Sequence, residues 1–279
     1  MNRVVLILSV VAGVTALSAQ AEQSESRFEV ASVRLNTSGD VRSMMAWPKG
    51  SLSATNMQLQ MLIAHAYEIP LQLMRFMIVD GPANLLAERY DIQARTPESA
   101  PEGQHFSMLR SLLADRLKLR VHYETRPTPV YALTFAREDR RLGSDLRASQ
   151  INCNAERDRA RTTGQAFTTA TAPRDAKGRP VCWGTSQFAA PGARTLVDAG
   201  SLADLVRGIQ AVVDRPIVDG TGLSGTFEWQ LVFATGATPN ADLPSVFTAV
   251  EEQLGLKLEA QTAPFELLVI DAVERPTPD

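Results

Sequence analysis

The chain has little of what most reaction centres are built from. Its 279 residues include two cysteines, Cys153 and Cys182, and three histidines, His65, His105 and His122. Two cysteines with no histidine at ligand spacing do not make a zinc site. No Ser-His-Asp or Cys-His pattern is legible, so no activated nucleophile can be named. Charge of one sign is also lacking: the net charge is −3, with both signs interspersed. That excludes the footprint of a nucleic-acid binder or of a polybasic membrane surface. Beyond the N-terminus no apolar run reaches the roughly 20 residues that a bilayer span needs. The expectation is therefore no catalytic residue, no cofactor, no metal, no nucleic-acid partner and no transmembrane segment in the mature chain.

What is present begins with an export signal. Met1-Asn2-Arg3 is a short basic start, residues 4–17 are apolar and uncharged, and Ala19-Gln20-Ala21 is a small-x-small site. This layout reads as a cleavable signal peptide over 1–21, with the mature chain starting at Glu22 in the periplasm or outside the cell. No cysteine follows the apolar run, which argues against lipid attachment. In an oxidising compartment Cys153 and Cys182 read as a disulfide. Closing a loop of that size restricts the unfolded chain by roughly 3 kcal/mol.

The mature part repeats itself. Val79-Asp80-Gly81 precedes Tyr90-Asp91-Ile92-Gln93-Ala94, and Val218-Asp219-Gly220 precedes Phe227-Glu228-Trp229-Gln230-Leu231. Leu117-Lys118-Leu119-Arg120-Val121 is echoed by Leu254-Gly255-Leu256-Lys257-Leu258. Similarity in fixed order marks a duplicated supersecondary unit. We expect an α+β fold of two similar repeats, helices packed on mainly antiparallel sheet, at 22–136 and 195–274. Residues 137–194, poor in large apolar side chains, read as a long polar excursion pinned by the two cysteines. Residues 275–279 read as a tail.

Within the first repeat, residues 28–34 alternate as an opening strand. Thr55 or Asn56 is the expected cap of a helix carrying Leu59, Leu62, Ile63, Ala66 and Tyr67. Phe106, Leu109, Leu113 and Leu117 form a second stripe. Leu119-Val121-Tyr123 and Tyr131-Leu133-Phe135 alternate as two strands about a turn at Pro127-Thr128-Pro129. In the second repeat Ser201-x-x-Asp204 is a capping box ahead of Leu202, Leu205, Val206 and Ile209. Pro244 and Ser245 open a helix that Gly255 ends. Two closing strands are expected on either side of Pro264.

Each chemical motif has a plainer explanation. Gly220-Thr221-Gly222-Leu223-Ser224-Gly225 matches a dinucleotide fingerprint, but that fingerprint must open a helix, and here a strand follows. Ser224 likewise lacks the strand-to-helix turn of a nucleophile elbow. His65 and Glu68 share a helix face, and His122 and Glu124 share a strand face, without further ligands. Glu251-Glu252 reads as a solvated helix face. Trp229 alternates with core positions, whereas Trp47 and Trp183 sit in loop-like stretches where an aromatic could meet a ligand. Arg140, in the polar excursion, should be replaceable at little cost.

Residues 28–34 (Phe-Glu-Val-Ala-Ser-Val-Arg) begin a resemblance to the acidobacterial soil-associated protein family, a paralogous group of exported proteins of unknown function. Leu112-Leu113-Ala114-Asp115-Arg116-Leu117-Lys118-Leu119 with His122-Tyr123-Glu124 and Pro129-Val130-Tyr131-Ala132-Leu133 resembles its central signature. Arg215-Pro216-Ile217-Val218-Asp219-Gly220, running on to Gly225, resembles a second, and residues 244–258 with Val269-Ile270-Asp271 a third. After Gly81-Pro82, where the family usually carries a tryptophan, this chain has Asn84-Leu85. The resemblance implies no catalytic residues. Related domains look fused to membrane metallopeptidases of the antibiotic-sensor type. The first expectation is thus a non-enzymatic exported module that binds a protein or small molecule of the cell envelope. The alternatives are a ligand-sensing domain working with a membrane metallopeptidase, and an exported hydrolase.

Overall fold

The computed structural model describes residues 26–48, 50–97, 103–165, 168, 170–182, 187–190, 192–235 and 242–276. The expected cleavage site and Trp183 lie outside the described residues. The first part of the chain forms β1 (Val30–Leu35), β2 (Met44–Ala46), β3 (Ser51–Gln58), α1 (Leu59–Ala66), α2 (Met74–Met77), β4 (Ile78–Val79), α3 (Ala83–Ala87), β5 (Arg89–Arg95), α4 (His105–Leu117) and β6 (Arg120–Phe135). The second forms β7 (Leu146–Ala148), α5 (Cys153–Thr163), β8 (Gln187–Ala190), β9 (Ala193–Gly200), α6 (Leu202–Gln210), β10 (Ile217–Asp219), β11 (Phe227–Ala234), α7 (Val246–Leu254) and β12 (Leu256–Ala272).

The duplication is carried through to strand order. The first sheet runs β1-β5-β3-β2 and its counterpart runs β7-β11-β9-β8, all antiparallel. The chain is therefore an α+β protein of two like repeats. The connecting stretch is more than a surface loop, because β7 and β8 are the outer strands of the second sheet. Arg140 is anchored rather than free. Its guanidinium donates to the Thr221 carbonyl at 3.0 Å and lies 4.6 Å from the Phe135 ring centroid.

The largest departure from the sequence reading is in the last strands. Neither Pro127-Thr128-Pro129 nor Pro264 makes a turn. β6 and β12 run straight through them and pair with each other along their whole length, Leu256 opposite Phe135 and Ala272 opposite Arg120. Pro127 stands directly opposite Pro264. Neither has an N–H, so this rung carries no ladder hydrogen bond. Pro129 is two residues along and faces Thr262, a rung of the same class. On such rungs the missing N–H would point outward. The outer neighbours β10 and β4 reach only 131–133 and 268–269. At its middle the ribbon is two edge strands, where proline is tolerated.

This ribbon makes the repeats exchange material. β4 of the first repeat pairs in parallel with β12, and β10 of the second pairs in parallel with β6, giving the order β10-β6-β12-β4. Leu268 and Ile270 of β12 belong to the first core, with Leu59, Ile63, Leu113 and Leu117. Leu133 of β6 belongs to the second, with Leu205, Trp229, Leu231 and Leu254. Each core is closed by a strand from the other half.

Local signals explain the helix ends. Ser201 accepts from the Asp204 N–H, and Asp204 accepts from the Ser201 N–H, so the capping box forms. Ser245 caps α7, and Gly255 ends it with φ of 69°. Its counterpart Lys118 takes the same left-handed conformation, φ 52°, after α4. α1 is the exception. Neither Thr55 nor Asn56 caps it, and the N-cap is Gln58, without a side-chain bond. Asn56, with φ of 55°, occupies an irregularity between β3 and β5. There its amide donates to the Arg42 carbonyl at 2.9 Å, and its own N–H goes to Asp91 at 2.8 Å. Strand geometry claimed its polar groups before the helix could. The C-terminal tail starts tied down: the Glu274 N–H donates to the Leu117 carbonyl at 2.7 Å, and Arg275 pairs with Glu88 at 2.6 Å.

Candidate polar cleft beside the disulfide

β9 is where the second repeat stops copying the first. Side chains alternate across a strand, and Val197 and Ala199 point to the outward face. There they pack with Cys153, Val181 and Cys182 in a small separate cluster. A disulfide joins Cys153 to Cys182, with Cα atoms 4.9 Å apart, a separation that suits such a bond. It pins the start of α5 and the segment before β8 over the sheet as a cap. Asn152 caps α5 by accepting the Ala155 N–H at 3.0 Å.

Asp198, between Val197 and Ala199, faces the other way. It stands opposite Trp229, as Ala54 stands opposite Ile92 in the first repeat. A carboxylate thus takes a core-facing position that its counterpart fills with a methyl group. Asp198 is 3% exposed. β8 accompanies β9 only as far as Thr195. Past that point the Asp198 carboxylate reaches the Cys182 backbone, accepting its N–H at 2.6 Å and the Ala199 N–H at 3.0 Å. The Cys153 sulfur lies 3.4 Å from the same oxygen. A disulfide sulfur has no proton to give, so this is a contact. Among the described residues no cation forms an ion pair with Asp198. Burial pushes its carboxyl above the usual range, the two backbone N–H groups and Arg157 oppose that, and Asp204 adds to it.

Asp198 opens on a cleft of about 310 Å³, lined also by Asn154 and Arg157 of α5, Asp204, Arg207 and Gly208 of α6, and Gln72 from the first repeat. A neighbouring hollow of about 210 Å³ shares Asn154, Arg157 and Asp204 and continues to Ser201 and Thr226. Arg157 is aimed by hydrogen bonds to Asn154 at 2.9 Å and to the Cys182 carbonyl at 3.3 Å. Burial works against ionisation of Asp204, but hydrogen bonds from Ser201 and the Arg207 guanidinium hold its carboxyl below the usual range. The cleft therefore offers fixed charges of both signs and the side-chain amides of Gln72 and Asn154.

The residues weighed from the sequence lie elsewhere. His65 is half-buried on α1, and burial lowers its pKa. Trp47, His105 and Phe106 meet as tilted rings, with centroids 4.7 Å and 4.1 Å apart for the successive pairs, and Trp47 packs against the first core. Trp229 is fully buried. Residues 220–225 form the turn between β10 and β11, and Glu251 and Glu252 are exposed. His122 does gather partners: its Nδ1 meets Asp271 at 2.9 Å and its Nε2 lies 3.7 Å from Glu124. The Asp271 hydrogen bond, ahead of the nearby charges, raises its pKa. Arg126 links Glu124 and Asp80, at 2.7 Å each. His122 thus meets two carboxylates, and the cluster is an exposed chain of polar contacts across the ribbon. Of the cleft, the sequence pointed to Cys153, Cys182 and Asp204. Asp198 was missed, although an acid inside the apolar run Leu196-Val197-Asp198-Ala199 breaks the pattern of a strand buried on both faces.

No curated protein and no solved structure matches the chain. Residues 60–273, which take in the cleft, both sets of main helices and the whole exchanged ribbon, match the model of a family described as a protein of unknown function (DUF3738), and the chain belongs to that family.

Proposed function

We propose that this protein is a non-enzymatic binding module working outside the cytoplasm, with the cleft beside the disulfide as its site for a small polar ligand. The observation that carries this reading is Asp198. A carboxylate buried at a core-facing position, where the other repeat has Ala54, is a local conflict of the kind that folds retain at functional sites. It lines a cleft with Arg157 and Arg207, which suits a ligand bearing both an acidic and a basic or hydroxyl group. Export through the leader at 1–21 belongs to the same proposal. A disulfide is at home in an oxidising compartment, and membership of the exported acidobacterial soil-associated set rests on the motifs quoted above.

Melting of the mature chain against free amino acids, dipeptides, hexoses and dicarboxylates tests it. One class should raise Tm saturably, since ligand at about 100 times Kd adds roughly 2.7 kcal/mol, and Arg157→Ala should abolish the rise. A panel without effect, or turnover of a panel member in proportion to protein, would contradict a binding module. The exported protein should begin at Glu22 by N-terminal sequencing, and a start at Met1 would remove the export reading.

A further inference from the structure

The disulfide and Asp198 also compose a second kind of site. The two sulfurs and a carboxylate oxygen of Asp198 all lie within 4.8 Å of one another. Cys153, Cys182 and Asp198 are 2%, 1% and 3% exposed. Two thiolates and a carboxylate form a donor set for a borderline divalent ion such as Zn²⁺, which takes sulfur at about 2.3 Å and carboxylate oxygen at about 2.0–2.2 Å. Atoms bound to one such ion stand roughly 3–4 Å apart. Asp198 is already at that distance from the Cys153 sulfur, 3.4 Å. The two sulfurs must separate, and cleavage of their bond allows that.

Contacts besides the bond also keep the three groups near one another. Cys153 opens α5, whose cap is Asn152. Asp198 sits on β9, which pairs with β11 from Ala193 to Gly200. The Cys182 backbone is fixed by its N–H to Asp198 at 2.6 Å. The cleft that reaches Asp198 provides an entry path and room for water as a fourth ligand.

We propose that the reduced chain binds one zinc-class divalent cation through Cys153, Cys182 and Asp198, so that metal and disulfide are alternative pins for the same cap. The chemistry balances in two steps. A phosphine and one water convert the disulfide to two thiols and a phosphine oxide; a dithiol reductant does the same, ending as its own disulfide. The cation then displaces both thiol protons and joins the carboxylate, leaving a net charge of −1 on the site.

The test uses the mature chain, oxidised or reduced by tris(2-carboxyethyl)phosphine, in metal-free buffer. Titration with Co²⁺ reads the thiolate-to-cobalt charge-transfer band. Competition of Zn²⁺ with a chromophoric chelator reads stoichiometry and affinity. One ion should bind per reduced chain and none per oxidised chain, with a rise in Tm of the reduced form. Asp198→Asn keeps a side-chain oxygen for the two backbone N–H groups. It should weaken Zn²⁺ by more than the roughly 10–100-fold typical of losing an outer-shell partner. Cys153→Ser, which leaves Asp198 in place, should lose stoichiometric uptake. The proposal is overturned if reduced wild type takes up no ion, if the oxidised chain binds equally, or if either variant binds as wild type does.

Discussion

The outward faces of the two sheets share a strand order and end in opposite environments. On the first, Gln93 is exposed and donates to Ser53 at 3.0 Å. On the second, Gln230 takes the place of Gln93, and its strand partner is Val197 where the first has Ser53. Val197 is 7% exposed because the cap of α5 and the disulfide lies on it. The acid beside these positions shows the same contrast. Asp91 is half-exposed and held by Asn36 and the Asn56 N–H. Its counterpart Glu228 is 5% exposed and held by Arg147 at 3.1 Å and the Ala176 N–H at 3.2 Å. One inserted segment thus turned a solvent face into an interior, and it built the cleft along its edge. The second copy thereby carries a covered outward face with a polar cleft along it.

The largest effect expected from breaking the symmetry is in the shared cores. Leu117 and Leu254 are counterparts, both fully buried. Changing either to Asp should cost several kcal/mol. Because each core contains a strand from the other half, each variant should still melt in one transition. Two resolved transitions would show that the repeats are independent. Next come the left-handed helix ends. A Cβ on Gly255 would meet the Gly143 nitrogen at 2.5 Å and the Arg141 carbonyl oxygen at 2.7 Å, so Gly255→Ala should cost roughly 1–3 kcal/mol. Lys118→Gly, at the matching position, should be neutral or stabilising in chemical denaturation. A loss at both would deny their equivalence. Smaller again, Ser201→Ala should cost about 1 kcal/mol by removing a cap. Gln58→Ala, at the uncapped start of α1, should cost almost nothing.

The effect most informative about the cleft is a slope with pH. Asp198 has its folded-state pKa raised above the unfolded value. The folded chain then holds an extra proton between those two values, so this group's contribution to stability grows as pH falls through the folded pKa and levels off below the unfolded one. Asp198→Asn should remove that slope. Urea midpoints measured against pH check it, and an unchanged slope would mean that Asp198 is solvated.

Most of the skeleton was legible because it rests on local signals. The stripe through Leu109, Leu113 and Leu117, the capping box at Ser201 and Asp204, and the Gly255 stop each act within a turn or two of chain. The repeat was legible for the same reason, as two copies of those signals in one order. The exchanged ribbon was not. Proline between alternating runs ordinarily marks a turn, and only the facing of Pro127 by Pro264 across the ribbon makes continuous strands tolerable. Asn56 was misread because the carbonyls that it serves, of Asp40 and Arg42, come from the loop ahead of β2. The cleft was half legible. Cysteine count and the expected compartment pointed to the disulfide, but nothing local shows that Asp198 faces inward opposite Trp229, which is a matter of register.

Hydrogen exchange on the oxidised and the reduced, metal-free chain tests most directly whether the pinned cap makes the second sheet different. Reduction should release protection across α5, residues 180–182 and the cleft end of β9, while β3 and β5 of the first sheet keep theirs. Equal loss in both sheets, or no loss in β9, would contradict the account.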